Sequence, residues 1–177
     1  YFELRNIPED VLAQFTKQQS ISLCSNVVGQ VATYLMVTPP VEGEESYDLY
    51  MQERNGILSN MKEKARILGE GLNKIPGMFC EVPEGAMYAF VRFELPDTED
   101  TKKMSENELV KYEAKRDEQY CMSLLEETNI CVVPGSGFGQ KPGTMHFRTT
   151  FLPPKEDIEA LVEKMKVFHT KYSASIK

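Results

Sequence analysis

The sequence predicts an α+β fold in which helices pack on a small sheet. From residue 75 onward the patterns run strand, helix, strand, strand, helix, an order typical of a compact α+β unit. A long helical repeat over 44–75 precedes that unit. The 177 residues are 41% hydrophobic and 27% charged, a globular balance with enough apolar material for a core.

The first 43 residues predict three short elements. Residues 1–7 are apolar and resemble a strand, which would have no partner within the segment. Pro8 followed by two acidic residues is typical of a helix start. Apolar residues at helical spacing predict a second helix over 26–37, which Pro39 and Pro40 end.

Residues 44–75 predict one long helix of about eight or nine turns. Its length suits a helix that runs between two domains, or a dimerising arm. The apolar positions recur every three or four residues and include Tyr47, Tyr50, Ile57, Met61, Ala65, Leu68, Leu72 and Ile75.

The remaining residues predict the elements of the α+β unit. Residues 86–93 are dense in aromatic and branched side chains and predict a central strand, followed by a polar loop over 96–104. Ser105 and Glu108 form a capping box that starts a helix reaching residue 125 or 128. After it we expect a short strand at 130–133, a Gly/Pro loop at 134–143, a strand at 145–151 and a last helix after Pro154.

Charge and cysteine usage exclude several functions. A net charge of −7 disfavours a nucleic-acid surface, and neither a bilayer-length apolar run nor a signal-peptide pattern is found, so no membrane role is predicted. The four cysteines are widely spaced and form no CxxC, which disfavours structural zinc and favours small buried residues in a reducing compartment. His146 and His169 have no triad-like partner, so structural roles are expected.

Two features could carry chemistry. The loop from Gly135 to Gly139 could cradle a phosphate, but a strand rather than a helix follows it, which favours a turn that positions that strand. Side chains of the strand at 145–151 should alternate, which puts Arg148 on the face opposite Phe147. Its guanidinium could bind a carboxylate through two parallel hydrogen bonds. The residues alone favour a buried ion pair or a surface arginine instead. Of the aromatic residues Tyr88, Phe90 and Phe93, predicted as core, only Tyr88 is a candidate to line a pocket. The charge run 111–118 is expected to be a solvated helix face.

Several segments together resemble the C-terminal part of the alanine aminotransferases, a group of the class I, fold-type-I, pyridoxal-phosphate-dependent aminotransferases. The resemblance covers essentially the whole chain. The segments are TPPVEGEESY (38–47), GAMYAF (85–90), LLEETNICVVPGSGFG (124–139) and HFRTTFLPP (146–154).

This resemblance implies three regions. Residues 1–43 would be a remnant of the large α/β domain that binds pyridoxal phosphate, 44–75 the interdomain helix, and 76–177 the small α+β domain. Arg148 would bind the α-carboxylate of the substrate. Gly135 and Gly137 would lie in the part that closes over the substrate, Tyr88 near the domain interface, and Ser25 and Asn26 near the cofactor phosphate of the neighbouring subunit.

The implied reaction converts L-alanine and 2-oxoglutarate to pyruvate and L-glutamate through pyridoxal phosphate in a homodimer. The lysines fall on amphipathic helices or in a polar loop, so we expect the Schiff-base lysine upstream of Tyr1, which is itself no translation start. The fragment alone would then be inactive and hold no cofactor, and residues 1–40 would expose apolar surface that causes dimerisation or aggregation. The expected compartment is the cytoplasm, with the mitochondrial matrix as the alternative.

Three alternatives remain at this point. The chain could be a stand-alone module that binds a small carboxylate, or a structural protein that dimerises through helix 44–75. It could also come from an aminotransferase with a different amino donor, such as an aromatic or aspartate aminotransferase.

Overall fold

A computed structural model of the chain describes residues 3–98, 101–141 and 143–176. The α+β fold is confirmed: helices and a four-stranded antiparallel sheet make up these ranges. The chain divides into two compact units, Tyr1–Gln52 and Glu53–Lys177. None of the helices in the described ranges combines the length and apolar character needed to cross a bilayer.

The first unit contains two helices with no buried residue, α1 (Glu9–Gln19) and α2 (Val27–Val37). Both were predicted. The predicted strand over 1–7 is wrong for residues 3–7, which form no regular structure, while residues 1 and 2 lie outside the described part. A lone strand without a pairing partner leaves its backbone hydrogen bonds unmade, which explains the outcome.

Helix α3 (Tyr47–Leu72) begins and ends three residues inside the predicted range of 44–75. After its last residue the backbone N–H groups of Lys74 and Ile75 donate to the carbonyls three residues back. This is the 3-10 hydrogen-bond pattern, so the α-helix ends in a tighter turn. Only its second half is buried, because Ile57 is 62% exposed whereas Leu68 and Leu72 are fully buried.

The sheet has the order β1-β2-β4-β3, from β1 (Met78–Phe79), β2 (Tyr88–Phe93), β3 (Val133–Pro134) and β4 (Met145–Thr150). Strand β1 was not predicted, because two residues are too few to show the alternation of side chains that identifies a strand. The strand predicted at 130–133 is shifted, since pairing with β4 begins only at Val133. Strand β2 starts at Tyr88 rather than at 86 because Ala86 is left-handed, with φ +58.

Helices α4 (Glu106–Thr128) and α5 (Lys155–Ser175) cover one face of the sheet together with the second half of α3. The predicted capping box is formed, as the backbone N–H of Ser105 donates to the Glu108 carboxylate at 3.0 Å. Helix α3 approaches α5 closely at Gly71, where a Cβ would lie 2.8 Å from Val162 Cγ1. The core under the sheet is aromatic and centres on Phe93, Tyr120, Phe147 and Phe168.

Buried polar groups also join elements within this unit. Tyr120 Oη lies 3.0 Å from His169 Nδ1, both buried, which agrees with the structural role predicted for His169. Lys64 Nζ donates to the Leu152 carbonyl at 2.8 Å.

The prediction of buried cysteines is right for Cys80 and Cys121 and wrong for Cys24 and Cys131, which are exposed. A small side chain at irregular spacing gives no sign of the face on which it lies. Within the described ranges, no group of three or more His, Cys, Asp and Glu side chains could hold a metal ion.

Candidate functional site

The face of the sheet opposite the core carries Arg148. Side chains alternate along β4 as predicted: Met145, Phe147 and Thr149 are buried, whereas His146 and Arg148 lie half-buried on the other face. Phe90 is the direct cross-strand neighbour of Arg148 on β2. This face is therefore polar and aromatic at its centre.

Two aromatic rings contact the Arg148 guanidinium. Its Cζ lies 4.6 Å from the ring centroid of Tyr88 and 4.7 Å from that of Phe138. Such cation–π contacts hold the guanidinium while leaving N–H groups along its edge for other partners. Among the described residues no carboxylate lies within 4.0 Å of it, so the ion pair that the residues alone favoured is not observed there.

The predicted aromatic core is only partly correct. Phe93 is 1% exposed, but Tyr88 and Phe90 are 47% and 44% exposed and lie on the Arg148 face. The sequence YAFVRF carries aromatic residues on both sides of the strand, so its pattern does not reveal which side packs on the helices. Tyr88 lies beside Arg148, and its predicted place at a pocket or at the domain interface stays a prediction.

The Gly-rich loop forms a 3-10 turn over Gly135–Phe138 that leads toward β4, as the turn interpretation requires. Gly135 is tightly enclosed: a Cβ there would lie 2.6 Å from His146 Cβ and 2.8 Å from the His146 carbonyl oxygen, and would also meet the Gln140 side chain. Gly137 has open space around it. Gly135 therefore lets the turn close onto β4 and brings Phe138 to Arg148.

The carboxylate of Asp117, on α4, accepts hydrogen bonds from this turn and from Gln140 just after it. Its carboxylate accepts from the Ser136 backbone N–H at 2.9 Å, the Ser136 hydroxyl at 3.1 Å and Gln140 Nε2 at 2.9 Å. Burial raises the pKa of Asp117, and these hydrogen bonds oppose that shift. Asp117 is 0% exposed, so the prediction that 111–118 is a solvated face is wrong here and at the 8% exposed Arg116.

Sequence reasoning missed Asp117, although a signal was present. Asp117 precedes Tyr120, Cys121 and Leu124 by three, four and seven residues, the spacing of one helix face, and all three are buried. A carboxylate on a buried helix face must accept hydrogen bonds from nearby groups, because burial removes it from water. The Gly-rich turn supplies the N–H and O–H donors.

His146 connects the turn to the aromatic residues. Its Nδ1 lies 3.1 Å from Gln140 Oε1, and its ring stacks on Phe90 with centroids 4.8 Å apart and an interplanar angle of 9°. Burial, together with the charge of Arg92, lowers the pKa of His146. The ring is therefore neutral at physiological pH.

Ser25 and Asn26 lie in the first unit, at the start of α2. The Asn26 side chain accepts from the Gly29 N–H at 3.2 Å, which caps the helix, and the Ser25 carbonyl accepts from Gln30 Nε2 at 2.9 Å. Their predicted proximity to a cofactor phosphate stays a prediction.

The described residues do not fit pyridoxal phosphate by themselves, because the cofactor requires a desolvated lysine beside an acid for the pyridine ring. Lys64, Lys155 and Lys171 are each bound, to Leu152 O, Glu63 and Glu127. A cavity of about 620 Å³ between α3 and residues 82–86 is bordered by Lys62, but that side chain is exposed.

Comparisons with known proteins agree with this fold. The family model for aminotransferase class I and II matches residues 7–165. The probable mitochondrial alanine aminotransferase of Dictyostelium discoideum is 48% identical over 97% of the chain, and alanine aminotransferase 1 of Mus musculus is 39% identical over 98%. The alanine aminotransferase structure from Pyrococcus furiosus superposes with a TM-score of 0.69 and 27% identity, covering 94% of this chain and 36% of its own. An aspartate aminotransferase from Rhizobium meliloti gives a TM-score of 0.60 at 25% identity, covering 90% of this chain and 35% of its own.

The matches cover only part of each relative. The chain spans 31% of the Dictyostelium protein and 34% of the mouse protein, about a third of their length. Because the family model covers most of the 177 residues and the identities are high, the assignment does not depend on any single motif. The chain belongs to the class I and II aminotransferase family.

Proposed function

We propose that this chain is the substrate-carboxylate-binding part of an alanine aminotransferase, whose whole protein converts L-alanine and 2-oxoglutarate to pyruvate and L-glutamate. The observation that carries the proposal is the Arg148 guanidinium, which two rings hold and no carboxylate of the described residues neutralises. Support also comes from relatives named alanine aminotransferases that match nearly the whole chain.

Arg148 is suited to this role by its chemistry and its place. A planar guanidinium offers two parallel N–H groups to a carboxylate, a bidentate match that lysine lacks. The rings of Tyr88 and Phe138 restrict the guanidinium and reduce its contact with water, which strengthens its attraction for an anion. A carboxylate bound here would fix the orientation of the rest of the substrate.

The other parts of the reaction belong, in this proposal, to residues outside the chain. Pyridoxal phosphate would carry the amino group and act as the electron sink in the whole protein. The chain by itself would be inactive and hold no cofactor, and the whole protein would be a homodimer in the cytoplasm or the mitochondrial matrix. Gly135 and Gly137 would belong to the part that closes over the substrate.

Titration of the chain with pyruvate, followed by NMR of the arginine Nε–H signals, tests the carboxylate site. We expect the Arg148 signal to shift in a saturable way. Arg92 is the internal control, because its Nη2 already lies 3.3 Å from Glu94. The backbone amide signals of β4 are the readout in the variants: their saturable shifts with pyruvate should be lost in Arg148→Lys and should persist in Arg66→Lys, on α3 and paired to Glu70. Equal responses of Arg148 and Arg92 would refute the assignment.

Borohydride trapping tests where the cofactor is held. The chain is incubated with pyridoxal phosphate, reduced, and searched by peptide mass spectrometry for a pyridoxyl-lysine. We expect no stoichiometric site, because the lysines whose contacts are described are surface or structural groups. A single saturable lysine would show that the chain holds the cofactor itself.

A second candidate is an aminotransferase with a different amino donor. The aspartate aminotransferase from Rhizobium meliloti, with a TM-score of 0.60, favours it, since that enzyme shares this part of the fold. Assays of the whole protein with alanine and with aspartate, at equal concentrations, separate the two. A higher kcat/KM for aspartate would replace the alanine assignment and leave the carboxylate role of Arg148 intact.

A further inference from the structure

The buried carboxylate of Asp117 has no salt-bridge partner among the described residues, yet it is fully enclosed. Three hydrogen bonds of 2.9–3.1 Å to its carboxylate come from the turn at 136–140, and one further contact is with the backbone of Glu118 on its own helix. A buried charge that served only the core would be costly compared with an apolar residue of similar size. The placement therefore points to a role in the turn.

One path leads from Asp117 to Arg148 through the backbone. Asp117 binds both the N–H and the hydroxyl of Ser136, which fixes the 3-10 turn at its second residue. Phe138 follows two residues later in the same turn, and its ring contacts the Arg148 guanidinium at 4.7 Å. Release of Ser136 would free the segment that carries this ring.

A second path runs through side chains. A carboxylate can only accept hydrogen bonds, so the Gln140 amide must present Nε2 to Asp117 and Oε1 to His146. The neutral His146 ring must then carry its proton on Nδ1. That ring stacks on Phe90. Phe90 in turn forms a T-shaped pair with Phe138, and their ring centroids are 5.9 Å apart. Both paths end at Phe138.

We propose that Asp117 is a positioning residue for carboxylate binding: it fixes the turn at 136–140 and the Nδ1–H form of His146, and thereby holds Phe138 against Arg148. The inference rests on the proposed function for the ligand and on the hydrogen-bond geometry for the mechanism. Asp117 does not touch the substrate in this proposal.

Asp117→Ala tests the proposal with a readout that a purely structural role would not change. Without the carboxylate, Gln140 Nε2 loses its acceptor, so the Gln140 amide is free to turn over and donate to His146 Nδ1. We expect the ¹⁵N shifts of His146, measured at alkaline pH, to change from the Nδ1–H tautomer alone to a mixture that contains the Nε2–H tautomer. Retention of the Nδ1–H tautomer alone in the variant would overturn the proposal.

Pyruvate affinity provides the second readout, from the Arg148 Nε–H titration. Asp117→Ala should weaken binding about tenfold, because it removes three hydrogen bonds and the ordered turn becomes a minor state. Ser136→Ala, which removes one hydrogen bond and keeps the charge, should weaken it about threefold and covers the case in which the first variant does not fold. Glu118→Gln, an exposed acid one residue along α4, removes the same charge and should leave the affinity unchanged.

The outcomes separate the two proposals. If the wild-type chain shows no saturable response at Arg148, the proposed function fails, and the His146 tautomer in wild type and in Asp117→Ala still decides the role of Asp117. If Asp117→Ala binds pyruvate as wild type does, or if Glu118→Gln weakens binding equally, the positioning role is refuted.

Discussion

Replacement of Gly135 by alanine is a direct test of how tightly the turn must close on β4. The new Cβ would lie 2.6 Å from His146 Cβ and 2.8 Å from its carbonyl oxygen, distances that real Cβ contacts do not reach. Backbone and a strand-borne Cβ cannot move aside as a flexible side-chain end can. The turn must therefore shift, which carries Phe138 away from Arg148 and loosens the hydrogen bonds to Asp117.

The magnitude follows from a matched pair of variants. Gly135→Ala and Gly137→Ala both reduce the freedom of the unfolded chain, a gain of about 0.4–1 kcal/mol in each. Gly137 has no atom near its added Cβ, so the difference between the variants isolates the overlap, at roughly 1–3 kcal/mol. With a urea slope of about 2 kcal/mol per M, a difference of about 2 kcal/mol lowers the midpoint by roughly 1 M.

Urea unfolding and pyruvate titration are the assays for this pair. We expect Gly135→Ala to lower the urea midpoint and to weaken the pyruvate response at Arg148, while Gly137→Ala raises the midpoint slightly and leaves the response near wild type. Equal midpoints and equal affinities in the two variants would refute the reasoning that Gly135 is required by close packing.

Three further predictions concern the core and the first unit. Tyr120→Phe leaves His169 Nδ1 buried without its 3.0 Å partner and should lower the free energy of unfolding by about 1–3 kcal/mol in urea unfolding. Burial lowers the pKa of His169 in the folded chain, so the unfolded chain binds more protons below its pKa of about 6.5. Its contribution to stability is therefore complete above that pH and is lost as the pH falls toward the folded pKa. We expect the urea midpoint to be lower near pH 5.5 than near pH 7.5. Val28 and Leu35 on α2 are 77% and 61% exposed, so their joint replacement by lysine should reduce self-association, measured by sedimentation at several concentrations.

For each of these three predictions, one experimental result would contradict it. An unchanged urea midpoint in Tyr120→Phe would show that His169 Nδ1 needs no donor. The pH effect should shrink in His169→Gln, and a midpoint that does not fall with pH in wild type would contradict the burial of a neutral imidazole. Gln19→Lys on α1 adds charge without removing apolar surface, and an equal loss of self-association there would point to net charge instead of the α2 face.

Local patterns predicted much of the second unit. The capping box at Ser105 and Glu108 placed the start of α4, since it satisfies the first helical N–H groups whatever lies nearby. Alternation in β4 placed Arg148 on the face opposite Phe147, because the two-residue period of a strand is a property of the backbone. Those signals need no knowledge of the rest of the fold.

The missed features depend on what covers each face. The prediction of Phe90 as core failed because an aromatic residue in a strand gives no sign of whether a second layer exists on its side. Asp117 was assigned to solvent because a run of charged residues suggests exposure, whereas its donors come from a turn 19 residues away along the chain. The carboxylate role proposed for Arg148 rests on the resemblance, since the residues alone favoured an ion pair or a surface arginine.

The pairing of β2 with β4 determines when the site can exist during folding. Thr150 Oγ1 donates to the Met87 carbonyl at 2.9 Å. The two residues are 63 positions apart, and the whole of α4 falls between the two strands in the sequence. Contacts between distant residues form late, after the entropy of closing the intervening loop has been lost. We therefore expect Tyr88 and Arg148 to meet late in folding, and a nascent chain that ends before β4 lacks Arg148 altogether. Amide hydrogen exchange tests this coupling: we expect the paired amides of β2 and β4 to exchange at similar rates.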